Sequence, residues 1–382
     1  MIYLDNNATT QTSPNAVAAM LPYFTECYFN PSSSTTAFTA AEAPRRGAAN
    51  AMAKLLNAET PDCFSFTSGA TESNNWTFAA VAKAYKTGSV VISAIEHPSV
   101  YEPAQELARL GFNVIEVPVD QHGVVRLDAF RAALGAETVL VSIMAANNET
   151  GVLQPLAEIG HIVRERSPAA IFHTDATQAI GKMKVDLQTD WSEVDLASFS
   201  AHKFHGPKGT GGIYIRPGIQ IYPFLLGGGQ EEGRRSGTTN TPSLAGLAIA
   251  ATEWKHASME AMANVRDEFE IGLKACFPEV QIHSAGVQRL SNTSCFSLPG
   301  VVGEELATAL AAQGIIVGVG SACSSGALHP PKTLLAMNVD YALARAALRV
   351  SLSTSTSSEQ TAILLNHLAD LLEKPPSLTG LH

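Results

Sequence analysis

Short apolar runs bounded by polar or glycine-containing turns alternate with stretches of helical spacing through the first two thirds of the chain. Runs at 63–67, 89–93, 113–117, 138–144, 170–174, 196–200 and 212–215 predict strands, and the spacing at 71–86 and 156–166 predicts helices among them. Strands separated by helices pair in parallel, so the pattern points to an α/β fold with a mostly parallel sheet. After the glycine cluster 227–229, an alanine-rich stretch at 242–262 predicts one long helix joining two domains. The remainder suits a small α+β domain, with strand-like runs at 293–298, 315–319 and 348–352 and helical ones at 304–313 and 359–373. The Pro-Pro-Ser tail beyond Lys374 predicts fraying.

Composition narrows the class. The 382 residues are 46% hydrophobic and 16% charged, which excludes disorder of the whole chain and supports a working count of two domains. The net charge is −10, so no cation surplus exists to displace phosphate counterions, and a general nucleic-acid binder is disfavoured. No apolar run approaches the ~18–20 residues that span a bilayer, and the first residues lack signal-peptide regions, which reads as a soluble cytoplasmic protein. Five widely spaced cysteines (Cys27, Cys63, Cys276, Cys295, Cys323) without a C-x-x-C pair signal neither a disulfide framework nor a zinc site.

Candidate chemistry lies just beyond the predicted strands, where open α/β sheets bind ligands. Ser200-Ala201-His202-Lys203 places a lysine past a buried run, suited either to a Schiff base with an aldehyde cofactor or to an ordinary basic loop. Asp175, with Gln178 following, either keeps a pyridine nitrogen protonated or caps a helix. Thr67-Ser68-Gly69-Ala70-Thr71 enters a helix through a glycine turn, fit for a phosphate or for simple capping, and neither a Walker loop nor G-x-G-x-x-G occurs. His97 could stack on a flat cofactor or be a polar loop residue, and Asn147-Asn148 could meet a phenolic oxygen or form a turn. Cys323 sits among Gly and Ser, which gives its thiol access that a core cysteine lacks. Arg349, inside a strand-like run, needs either a substrate carboxylate or an ion-pair partner.

Taken in order, Tyr3 to Thr10, Thr67 to Asn74, Glu96-His97, Asn147-Asn148-Glu149, Asp175 to Gln178, Ser200 to Lys203, Arg235 to Thr238, Gly320 to Ser325 and Arg349 to Leu352 resemble the cysteine desulfurases. These are pyridoxal-phosphate enzymes of the class V aminotransferase group, here of the nitrogen-fixation and iron–sulfur-assembly type. The resemblance covers nearly the whole chain. It implies the fold type I architecture of pyridoxal-phosphate-dependent transferases. A large domain at 15–255 would hold a mostly parallel seven-stranded sheet, and 1–14 with 256–382 would form a small domain carrying Cys323 and Arg349. It further implies that Lys203 bonds pyridoxal 5′-phosphate, that Asp175 meets the ring nitrogen, and that His97 stacks on the ring and takes part in catalysis. Asn148 and Gln178 would contact the ring oxygen. Ala70, Thr71, Ser200 and His202 would hold the phosphate, with Thr238 reaching across from a second subunit of a homodimer. Arg349 and Asn148 would bind the L-cysteine substrate, and Cys323 would take its sulfur as a persulfide for an acceptor protein, leaving alanine. Neither nucleic acid, membrane nor metal enters this scheme.

Two positions depart from the family: Thr36 and Ala145 stand where histidines are usual, while Gln230 after the glycine triplet is a familiar variant. A selenocysteine lyase or another class V aminotransferase is the nearest competing reading. A scaffold that keeps the fold without turnover is the other, and it has no need of Lys203, Asp175, Arg349 and Cys323 together.

Overall fold

The structure, a computed structural model, describes residues 1–33, 42–255, 257–320 and 330–373. The first strand, β1 (Ile2–Leu4), leaves for the far end of the chain, and the next seven build the central sheet. They are β2 (Phe64–Thr67), β3 (Ser89–Ser93), β4 (Asn113–Val117), β5 (Thr138–Ser142), β6 (Ile171–Asp175), β7 (Leu196–Ser200) and β8 (Gly211–Ile215), in the order β2-β8-β7-β6-β5-β3-β4. Only β8 runs against the others. Helices cover both faces, so β3, β5 and β7 are buried along their whole length and read as continuous apolar runs. The edges are protected differently. β4 is half exposed and carries Glu116, while the N–H of Phe66 in β2 donates to Glu231 Oε2, 3.1 Å away, a carboxylate also held by Arg45.

The last four strands are β9 (Gln281–His283), β10 (Thr293–Ser297), β11 (Ile315–Val317) and β12 (Ala347–Ser351). An antiparallel sheet runs β12-β10-β9, and β11 pairs in parallel with β1, Ile2 opposite Ile315. A core of Leu4, Phe269, Phe296, Leu306, Leu348 and Leu364 lies under these strands, separate from the core of Met52, Phe130, Phe172, Phe199 and Leu247 around the large sheet.

The single helix expected at 242–262 is two. Thr241–Glu253 ends at Trp254, whose ψ of 133° is extended, and a second helix spans Ala257–Cys276. Leu244, Leu247 and Ala251 belong to the first core, whereas Phe269 and Leu273 belong to the second, so the backbone turns to serve both. Among the described residues no helix is long and apolar enough to cross a membrane.

One buried carboxylate ties the sheet together. Asp195, 1% exposed, accepts from the Phe172 N–H and from Arg164 Nη2 at 2.8 Å each, and from Arg216 Nη2. Asp195→Ala strands two half-buried guanidiniums and an amide, so it should cost about 3 kcal/mol in urea unfolding. A loss under about 1 kcal/mol would show the pairs to be surface-like.

Candidate active site

Because β2, β3, β5, β6 and β7 all point one way, their carboxyl ends deliver side chains to one edge. That edge receives Ala70 and Thr71 after β2, His97 after β3, Asn148 after β5, Asp175 and Gln178 at β6, and Ser200, His202 and Lys203 after β7. Ligands of open α/β sheets lie at such an edge.

Asp175 ends β6, 5% exposed. It accepts from Asn74 Nδ2 at 2.9 Å and from the Thr177 N–H at 3.0 Å. Asn74 also donates to Ser99 Oγ, and Ser99 meets His97 Nδ1 at 2.8 Å while its own N–H is capped by the same nitrogen at 3.1 Å. Capping of the helix Pro98–Arg109 thereby fixes the imidazole. Burial pushes the His97 ring below its ordinary pKa, with Asp175 opposing and Lys203 assisting.

Lys203 stands on a single 3₁₀ turn, Ala201–Lys203, directly after β7. Its Nζ donates to the carbonyls of Asn7 and Ala8, 2.7 Å each. The residues between β1 and Thr10 thus thread through the site. Asn7 Nδ2 donates to Thr293 Oγ1 and to the Asn148 carbonyl, while its Oδ1 accepts from Lys182 and Asn292.

A cavity of about 440 Å³ opens at this edge, lined by Ala8, Thr9, Gly69, Thr71, Ser200, His202 and Lys208 among others. The helix Ala70–Ala84 starts here, and its first N–H, Ala70, donates to Ser200 Oγ at 2.8 Å. A Cβ on Gly69 would lie 3.3 Å from that oxygen at a φ of +154°, so glycine allows the approach. Burial, aided chiefly by the charges of Lys203 and Lys208, pushes His202 down to about 4, and its Nδ1 meets Thr9 Oγ1 at 3.0 Å. A helix N-terminus beside a lysine favours an anion. Thr238 is exposed, on the loop tied by Arg235 to Glu72 through contacts of 2.7 and 3.0 Å.

Arg349 reaches this edge from β12. Nη2 pairs with Asp5 at 2.5 Å and Nη1 donates to the Asn148 carbonyl at 2.8 Å, whereas the buried Nε has no hydrogen-bond partner among the described residues. The ion-pair alternative is therefore what the chain itself supplies, with one donor left over. Cys323 and Thr36 lie outside the described residues. Ala145, 2% exposed, lies in the core around the large sheet, its N–H bonded to the Asp175 carbonyl.

Sequence reasoning missed Lys182, and it gave no role to Asn7, Asn74, Glu96 and Glu149, although they lie in stretches that carry the resemblance. The signal for Asn74 was available: Ser73, Asn74 and Thr77 put polar groups on the buried side of their helix. Burial raises Glu149 to about 7 against a hydrogen bond from Thr333 and the charge of Arg349. Burial likewise raises Glu96 to about 8, although Ser93 Oγ and the Met144 N–H donate to its Oε1 at 2.5 and 2.8 Å. The folded state then retains a proton that the unfolded chain releases above about 4.5, so stability falls as pH rises between about 4.5 and about 8. Glu96→Gln, which keeps the acceptor, should remove on the order of 2–4 kcal/mol of that slope. Parallel stability–pH curves for the two proteins would refute a neutral Glu96.

The class V aminotransferase family model matches residues 2–364. A cysteine desulfurase IscS of Clostridium botulinum (strain Hall) is 38% identical, the alignment covering 100% of this chain and 96% of the relative. A cysteine desulfurase of Nostoc sp. is also 38% identical over 99% of this chain and 94% of its own. Among solved structures, a NifS-like protein superposes with a TM-score of 0.90 at 37% identity, covering 97% of this chain and 99% of that one. SspA, solved in complex with cysteine, gives 0.82 at 29% identity over 94% and 100%.

Proposed function

The chain belongs to the class V aminotransferase family, among its cysteine desulfurases, and from that premise we propose that it converts L-cysteine to L-alanine and passes the sulfur through Cys323 to an acceptor. The reading rests on the meeting, at one sheet edge, of Lys203 between two carbonyls, a buried Asp175 and a helix N-terminus fit for an anion.

These residues fit pyridoxal 5′-phosphate. Ala70, Thr71, Ser200 and His202 would take the phosphate, helped by Lys208. Asp175 accepts one N–H on each oxygen among the described residues, from Asn74 and Thr177, which leaves acceptor capacity for a protonated ring nitrogen. His97, kept neutral by burial, would lie against the ring, and Gln178 and Asn148 would meet its oxygen. When bound, this cofactor supplies an electron sink that makes the substrate α-proton removable. Lys203 is the covalent anchor and then the base that takes that proton. Arg349, through its spare Nε, orients the substrate carboxylate. The Cys323 thiolate would form the new S–S bond while the carbon–sulfur bond breaks, the released electron pair would take up a proton at the β-carbon, and return of a proton to the α-carbon would give alanine. Exposed Thr238, together with Leu21, Phe24 and Leu226 on the surface, supports a homodimer with shared sites.

The test is product stoichiometry. The purified protein, given L-cysteine and a reducing thiol, should release alanine and sulfide in equal amounts, faster than it releases alanine from L-selenocysteine. A preference for selenocysteine would favour the lyase, and no alanine from either would remove both.

A further inference from the structure

A second lysine lies within this site, and the scheme above gives it no task. Lys182 is 4% exposed. Its Nζ donates to Asn7 Oδ1 at 2.8 Å and to Gln178 Oε1. The turn that brings it there requires glycine: Gly181 has a φ of +76°, and a Cβ on it would lie 2.2 Å from Phe204 Cβ. Lysine offers N–H donors, so the Gln178 end that faces it must be the oxygen. The Gln178 nitrogen is thereby turned the other way, where Nε2 donates to the Asn7 carbonyl at 3.0 Å, the same oxygen that holds Lys203. Asn7 is fixed consistently, because its Oδ1 accepts from Lys182 and Asn292 and its Nδ2 donates to Thr293 and Asn148.

We infer that Lys182 is a positioning residue: it locks the Gln178 amide with its N–H₂ turned away from the amine, one hydrogen on the Asn7 carbonyl and the other left for the cofactor, and it steadies Asn7, whose carbonyl anchors Lys203. The inference rests on the cofactor assignment made above. Burial, with Lys203 and Arg349 adding to it and Asp5 opposing, holds the Lys182 amine well below its ordinary pKa. A neutral amine keeps two N–H groups, one for each oxygen, so deprotonation forfeits neither contact. A merely structural role at so buried a position would be filled as well by an apolar side chain of similar length.

Lys182→Met removes the donors at nearly constant volume. Pyridoxal 5′-phosphate titrated into the full-length protein freed of cofactor should bind about tenfold more weakly, with a displaced absorbance maximum. For L-cysteine, kcat should fall about tenfold or more while KM stays within about threefold. Lys182→Gln, which restores a donor, should read within about threefold of wild type on the dissociation constant. In a Gln178→Ala background, Lys182→Met should add no more than about twofold, because the two act as one unit. An unchanged dissociation constant and spectrum in Lys182→Met, equal impairment in Lys182→Gln, or penalties that multiply in the double variant would each overturn the inference. Wild-type protein that binds the cofactor but yields no alanine from cysteine would overturn the desulfurase reading alone. Failure of the wild type to bind would overturn both.

Discussion

Lys203→Ala is expected to lower alanine production from L-cysteine by about 10⁴-fold, since one substitution removes both the covalent anchor and the base. The geometry explains why no neighbour replaces it. Lys182 is spent on Asn7 and Gln178, Lys208 is exposed at the cavity rim, and His202 is bound to Thr9 and titrates near 4. The amine of Lys203 spans two adjacent carbonyls, Asn7 and Ala8, so its reach is set by backbone rather than by mobile side chains. The variant should keep the wild-type unfolding temperature within a few degrees, and a small exogenous amine should restore part of the lost rate. A variant within tenfold of wild type would sink the assignment of Lys203.

Cys323→Ala should abolish sulfide release, by about 10³-fold, while the protein still binds L-cysteine and changes its spectrum. The other cysteines are poor substitutes. Cys295 sits in β10 opposite Arg349, close to the site, yet burial drives its thiol up to about 12. Cys63 is buried, and burial raises it too. Cys276 closes the helix Ala257–Cys276, which packs on the helix Ser358–Glu373, and Cys27 follows the short helix Pro22–Thr25. Cys295→Ala should therefore keep activity within a few-fold. Loss of sulfide release in Cys295→Ala together with retention in Cys323→Ala would reassign the nucleophile.

Strands buried on both faces were the legible part of the fold. β3 and β7 begin and end where the apolar runs do, because a strand under two helical layers must be apolar throughout. Three-residue strands such as β1 and β9 carry no period to read. The helix Pro98–Arg109 was hidden by its internal Pro103. The break at Trp254 has no glycine or proline to announce it, and arises because two cores compete for one alanine-rich stretch. Within the site, the residues that follow strands were readable from position alone. Asn7 and Lys182 were not, since the contact that ties them to each other spans 175 residues, and Asn7 Nδ2 reaches still further, to Thr293.

The pairing of Ile2 with Ile315 bears on the order of assembly. The carbonyls that hold Lys203 follow directly on β1, and β1 finds its only strand partner, among the described residues, near the other end of the chain. As the polypeptide leaves the ribosome, the large sheet can close long before those carbonyls have a fixed place. Such long-range closure is slow, so a competent site is a late event, and refolding should regain sheet signals well before it regains turnover.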